Sequence, residues 1–261
     1  MWHIDITSGR MVTNMIPDKR ITVPLLLLIM GEVLIFNGLV VQGMAVYIFN
    51  LSILYILIIR GGDDNEVALM QRLLLLPLFR IMIIAMPLSV SSTRLNWYLL
   101  VGCAMLPAIY IATKTGRLGY AEPEVNKVAL KYIPAAIVLG SLLGIVERRI
   151  LNPVPLLSEA GIAHVLIFIS IMLFIASVEE IIFRSLIQTA FEEFYGMHHA
   201  LLVTAVLYGI MHSGYGNGSE IAFGIFSGLI LGYVFQKTRS LPLVVLIHSF
   251  KGVFLFSCLF S

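Results

Sequence analysis

Three apolar runs of this chain carry acid–base side chains. The stretch IFISIMLFIASVEEIIFRSLIQTAFEEF carries Glu179, Glu180 and Arg184 in mid-run; ALLVTAVLYGIMHSGYGNGS ends with His212 before a glycine-rich turn; LPLVVLIHSFKGVFLF contains His248. On a helix, neighbouring residues point about 100° apart, so the two glutamates are not expected to serve one partner. Glu180 and Arg184 stand at i and i+4 with the acid first, the favourable order for a helical ion pair. That pairing leaves Glu179 for other work. The competing reading is that both glutamates join helices structurally, as a lone histidine in such a run does.

A Glu/His/His set suits amide hydrolysis, which needs a nucleophilic water and a stabilised oxyanion. A carboxylate removed from water is a better base near neutral pH. A neutral histidine beside it can hold the water, and a second can donate to the developing oxyanion. The same Glu179, His212 and His248 can alternatively ligate zinc, leaving one position open for water. Composition does not separate the two mechanisms, so the cofactor is either none or zinc.

The elements that must position these groups are membrane spans. The chain has 261 residues, 59% hydrophobic and 12% charged, against roughly a quarter charged in soluble domains. Mean hydropathy is +0.96. With about 20 apolar residues per span, the expected fold is all-α: a polytopic transmembrane bundle of eight or nine helices. Nine segments are legible, at 22–40, 43–60, 73–90, 97–113, 129–147, 163–191, 199–212, 220–236 and 241–258. Gln42-Gly43 is the only polar break read between the first two, and merging them gives eight. Residues 1–21 read as a cytoplasmic segment, 22–160 as the N-terminal spans and 161–261 as the catalytic core. The first twenty residues lack the apolar stretch of a cleaved signal, which predicts an uncleaved anchor.

With the N-terminus inside, Arg10, Lys19, Arg20, Arg60, Arg72, Lys114, Arg117, Lys127, Lys131, Lys237 and Arg239 fall on the cytoplasmic side. Arg94, Arg148 and Arg149 fall on the other. That bias predicts a multi-pass protein of the cell membrane with a cytoplasmic N-terminus. The loop 114–128 is the longest polar connection. Counting about 1.5 Å per residue from the cytoplasmic ends puts Glu179 and His212 roughly 20 Å deep and His248 about 13 Å deep, so the three can share one level. Gly224, Gly228 and Gly232 form a small-residue face for close helix packing. Glu32 and Arg80 are expected to pair, Lys251 to snorkel or line the site, and Cys103 and Cys258 to act as small buried hydrophobes.

These residues carry a resemblance. From about 165 to 256 the sequence resembles the CPBP family of intramembrane endopeptidases, the CaaX-processing or Abi family that includes Rce1-type enzymes. Its Glu-Glu-x-x-x-Arg motif corresponds to Glu179-Glu180-Ile181-Ile182-Phe183-Arg184. Its Phe-x-x-x-His motif corresponds to Tyr208-Gly209-Ile210-Met211-His212, with Tyr for Phe. Its His-x-x-x-Asn/Asp motif corresponds to His248-Ser249-Phe250-Lys251-Gly252.

The resemblance implies Glu179 as general base, His212 as the residue positioning water, and His248 as oxyanion donor, with Glu180 and Arg184 as support. Gly252 departs from the family, because it cannot supply a side-chain amide; Ser249, Lys251 or a backbone N–H is left to act as donor. The departure fits a subfamily with another substrate or an inactive relative. Implied substrates are membrane-associated proteins or lipidated peptides: prenylated Cys-a-a-X termini, or, as for myxosortases, proteins with a hydrophobic C-terminal sorting helix. The partners are that substrate and the bilayer, with no nucleic acid. The alternative is a non-enzymatic membrane protein of the same fold, serving as peptide immunity factor or scaffold.

Overall fold

The computed structural model describes residues 19–86, 94–114, 131–155 and 161–257. Within them the chain is helical: α1 (Lys19–Phe36), α2 (Val40–Ile59), α3 (Asp64–Leu73), α4 (Leu75–Ala85), α5 (Arg94–Lys114), α6 (Ile133–Leu151), α7 (Ile162–Glu180), a π-helical stretch (Ile181–Gln188), α8 (Thr189–Ile210), a 3₁₀ turn (Ser213–Tyr215), α9 (Gly218–Thr238) and α10 (Leu241–Phe256). Among the described residues, each of the nine apolar segments is largely helical. Five helical stretches among the described residues are long and apolar enough to cross a membrane. Large apolar side chains also cover the outer surface, with Val41, Tyr110 and Ile162 at 79%, 64% and 82% exposure. An outer surface of that kind is solvated by lipid, and the protein is a multi-pass helical membrane protein.

Several boundaries differ from expectation. The first two segments part at Asn37–Leu39, where Gly38 takes φ +78°, and Gln42-Gly43 lies inside α2. Glycine reaches that left-handed conformation without steric cost. The third span starts earlier, at Asp64, where Asp64 and Glu66 occupy the first helical turn and favour the positive end of the helix dipole. It breaks between α3 and α4 because Pro77 cannot donate to the carbonyl of residue 73. Arg72 is not a loop cation: it is buried and donates to the Leu186 carbonyl at 3.2 Å. The sixth and seventh segments form one run of 54 residues, Ile162–Tyr215, bent where Gly196 takes φ 75° and ψ 165°.

Two glycine seams set the helix spacing around the centre. On α6, a Cβ at Gly140 or Gly144 would lie 2.3 or 2.4 Å from the carbonyl oxygens of Ile247 and Lys251, so α6 and α10 meet backbone to backbone. On α9, Gly224, Gly228 and Gly232 press on α8 and the π-helical stretch; a Cβ at Gly224 would lie 2.9 Å from Gly209 Cα. The packing expected of that stripe is therefore observed. Cys103 was expected to be buried but lies exposed on α5; facing lipid satisfies a small apolar side chain equally well. Cys258, the loop 115–128 and residues 1–18 lie outside the described residues.

Candidate active site

The Glu-Glu-x-x-x-Arg segment spans the switch from α7 to π-helix. A π-helical turn widens the backbone ladder and is common at functional sites. Glu180 and Arg184 are fully buried and paired as expected, Arg184 Nε to Glu180 Oε2 at 3.0 Å. Arg184 also donates to Gln188 Oε1 at 3.3 Å and lies 5.4 Å from the Tyr208 ring centre.

The expectation that the adjacent carboxylates cannot share a partner is corrected by His248. Its Nδ1 lies 2.7 Å from Glu180 Oε1, and its Nε2 lies 3.8 Å from Glu179 Oε2. An imidazole has a nitrogen on each edge, so two carboxylates 100° apart around α7 can still meet one ring. Glu180 therefore serves both Arg184 and His248. Glu179 accepts no hydrogen bond from any described residue, and its side chain is 22% exposed to the interior cavities.

His212 is brought to the same place. Its Nδ1 lies 3.0 Å from the Tyr208 carbonyl, which fixes the proton on Nδ1 and leaves the Nε2 lone pair free of backbone. Nε2 stands 4.0 Å from Glu220 Oε1. Tyr208 separates the histidines, its hydroxyl 3.4 Å from His248 Nε2 and its ring edge-on to Phe183. The substituted aromatic thus fills the core position and adds a polar contact to His248.

Two cavities meet at these residues. The larger, about 700 Å³, is bordered by apolar groups such as Phe79, Ile83, Trp97, Val101 and Phe183, and by Glu179, His212 and Arg80. The smaller, about 90 Å³, is bordered by Glu179, His212, His248, Lys251, Glu147 and Gly252. Glu179, Tyr208 and His212 line both.

Sequence reasoning missed Glu147 and Glu220. Each is buried, at 2% and 0% exposure. Glu220 stands one turn before Gly224 on the stripe Glu220-Gly224-Gly228-Gly232, a register that signals a residue aimed at α8 and hence at His212. Glu147 follows Gly140 and Gly144 on the α6 seam. Lys251 does not snorkel: it is 3% exposed and pairs with Glu147 at 3.0 Å.

The zinc alternative requires Glu179, His212 and His248 to converge. Among the described residues, the group whose candidate ligand atoms all lie within 4.8 Å of one another is Glu147, His212 and Glu220, not Glu179, His212 and His248. In the converging group, the Lys251 ammonium already supplies a cation beside Glu147. Glu147, His212 and Glu220 are thus the described residues that converge closely enough to hold a cation.

Buried carboxylates, two imidazoles and a polar pocket sharing lining residues with an apolar chamber are groups that can handle protons and water inside a membrane bundle. Comparisons with curated proteins and with solved structures return no match to this chain. A family model does match residues 161–254, from just before α7 to near the end of α10. That model is the Rce1-like one, described as type II CAAX prenyl endopeptidase Rce1-like, and the chain is similar to it over this segment.

Proposed function

We propose that the chain is an intramembrane endopeptidase that uses Glu179 to activate water against a peptide bond near the C-terminus, or within the membrane segment, of a protein substrate. The observation that carries this reading is Glu179 itself: a carboxylate without a hydrogen-bonding partner among the described residues, lining both cavities 3.8 Å from His248. Glu179 takes a proton from water as the oxygen attacks the carbonyl carbon, and returns it to the leaving amine. His212 accepts from the same water through Nε2, because Nδ1 is committed to the Tyr208 carbonyl. Glu180 and Arg184 hold His248 in position. No metal takes part in these steps.

The larger cavity supports the substrate class. At about 700 Å³ with apolar walls, it is of the size that encloses a small-molecule ligand, and it suits a lipid chain or the apolar side chains of an unwound membrane segment. Prenylated Cys-a-a-X termini and hydrophobic sorting helices both present such groups.

The test is cleavage in liposomes. Purified protein is offered a prenylated C-terminal peptide, its unprenylated form and a helix-tailed protein, each with and without a zinc chelator. Cleavage of at least one substrate that survives chelation and is abolished in Glu179→Gln is expected. Full activity in Glu179→Gln would sink the assignment of the base, and chelator-sensitive cleavage restored by zinc would replace it with metal catalysis. Silence of the wild-type protein on all three substrates favours an immunity or scaffold role for the same fold.

A further inference from the structure

Lys251 lies three residues beyond His248 on α10, a spacing that puts both side chains on one face of the helix. Both line the 90 Å³ cavity together with Glu179 and His212. A lysine inside a span normally extends toward the interface, whereas this one is held in the bundle by Glu147. The glycines at 140 and 144 bring α6 against α10 closely enough for that pair to form. Its ammonium also lies 5.7 Å from the Tyr208 ring centre and 5.8 Å from that of Phe223. An ammonium has three N–H donors, and its 3.0 Å ion pair with Glu147 occupies at most one of them.

His248 is poorly set as a sole oxyanion donor. Its Nδ1 lies 2.7 Å from Glu180 Oε1, and Glu180 is paired with Arg184, so the Nδ1 proton is directed there. In the neutral ring Nε2 then carries a lone pair and cannot donate. Nor does position 252 offer a donor without rearrangement, since a Cβ there would meet Met172 Sδ at 3.0 Å.

We propose that Lys251 is a catalytic residue: its ammonium donates a hydrogen bond to the scissile carbonyl oxygen as that oxygen becomes an oxyanion, with Glu147 holding the ammonium in place. The inference rests on the hydrolytic reading above. As the water oxygen bonds to the carbonyl carbon, the C=O π pair moves onto oxygen and Glu179 takes the water proton. Lys251 stabilises the resulting negative charge without giving up its own proton. When the C–N bond breaks, the electron pair returns to the carbonyl and Glu179 delivers its proton to the departing nitrogen.

The experiment compares wild type, Glu179→Gln, Lys251→Met, Lys251→Arg and the double variant Glu147→Gln/Lys251→Met in liposomes, measuring kcat, KM and thermal unfolding on whichever peptide the wild type cleaves fastest. Lys251→Met is expected to lower kcat by about 10²- to 10³-fold, the effect of losing one oxyanion donor, while leaving KM nearly unchanged. Lys251→Arg, which retains a charged donor, recovers part of that loss. Lys251→Met also strands Glu147, so it is expected to unfold more easily. The double variant removes both charges and regains thermal stability, but its kcat stays as low as that of Lys251→Met. Recovery of kcat along with stability in the double variant would show a purely structural ion pair and overturn the proposal. Wild-type kcat in Lys251→Met, alongside an inactive Glu179→Gln, overturns the lysine assignment alone. Full activity in Glu179→Gln, or an inactive wild type, overturns the hydrolytic reading and this inference with it.

Discussion

Glu32 and Glu179 are both carboxylates within apolar helices, yet their surroundings differ in kind. Each oxygen of Glu32 is taken: Oε1 accepts from the Tyr47 hydroxyl, and Oε2 accepts from Ser213 and from Arg80 at 2.9 Å. This cluster ties α1 to α2, α4 and the turn after His212, and Glu32 is 3% exposed. Around Glu179 the bonding is incomplete. Glu179 faces two cavities, and among the described residues neither oxygen of Glu220 has a hydrogen-bond partner. A buried polar group left unpaired is costly, and a carboxylate with both oxygens taken has little capacity left for a ligand. The N-terminal cluster is therefore a clamp, while the C-terminal one retains groups that can engage water and substrate.

The sharpest way to break this contrast is to neutralise the two carboxylates in turn. Glu179→Gln is expected to slow cleavage by about 10²- to 10⁴-fold, the range for loss of a general base, with thermal unfolding in detergent unchanged. Arg184→Met leaves Glu180 buried and uncompensated. It should cost about 3–5 kcal/mol of stability, measured by chemical or thermal unfolding, and should also release His248 from its orientation. Tyr47→Phe removes one donor from the Glu32 carboxylate and is expected to cost about 1.5–3 kcal/mol while leaving kcat near wild type. A large fall in kcat with unchanged stability in Tyr47→Phe would erase the distinction between clamp and site. Smallest in the series, Gly209→Ala forces a Cβ to within 2.4 Å of the Ile225 nitrogen. Overpacking of that kind costs about 1–3 kcal/mol, read as a lowered Tm, and tests whether the α8–α9 seam positions His212.

Much of this architecture was legible in sequence. Among the described residues each apolar segment is largely helix, because a spanning backbone in lipid must satisfy its own hydrogen bonds. The Glu180–Arg184 and Glu32–Arg80 pairs were readable, since unpaired charges in apolar runs demand partners. Boundaries were less legible where a single residue's conformation decides them. Gly38 broke α1 from α2 although the more polar Gln42 sat nearby, and the kink at Gly196 left one helical run where two spans were expected. Glu147 and Glu220 escaped notice because their position near span ends resembles that of ordinary interfacial charges.

Residue types and spacing along single helices determined the bundle, the i,i+4 ion pair and the Glu179, His212 and His248 set, because those depend on helical periodicity and on the cost of charge in an apolar run. Only the tertiary structure decided how the helices close on one another. It joined both glutamates to opposite edges of His248, turned Lys251 inward to Glu147 and set Glu220 against His212. Those contacts depend on backbone distances that Gly140, Gly144 and the Gly224 stripe permit between α6 and α10 and between α8 and α9, and helix separation is a property of paired surfaces that no single segment contains.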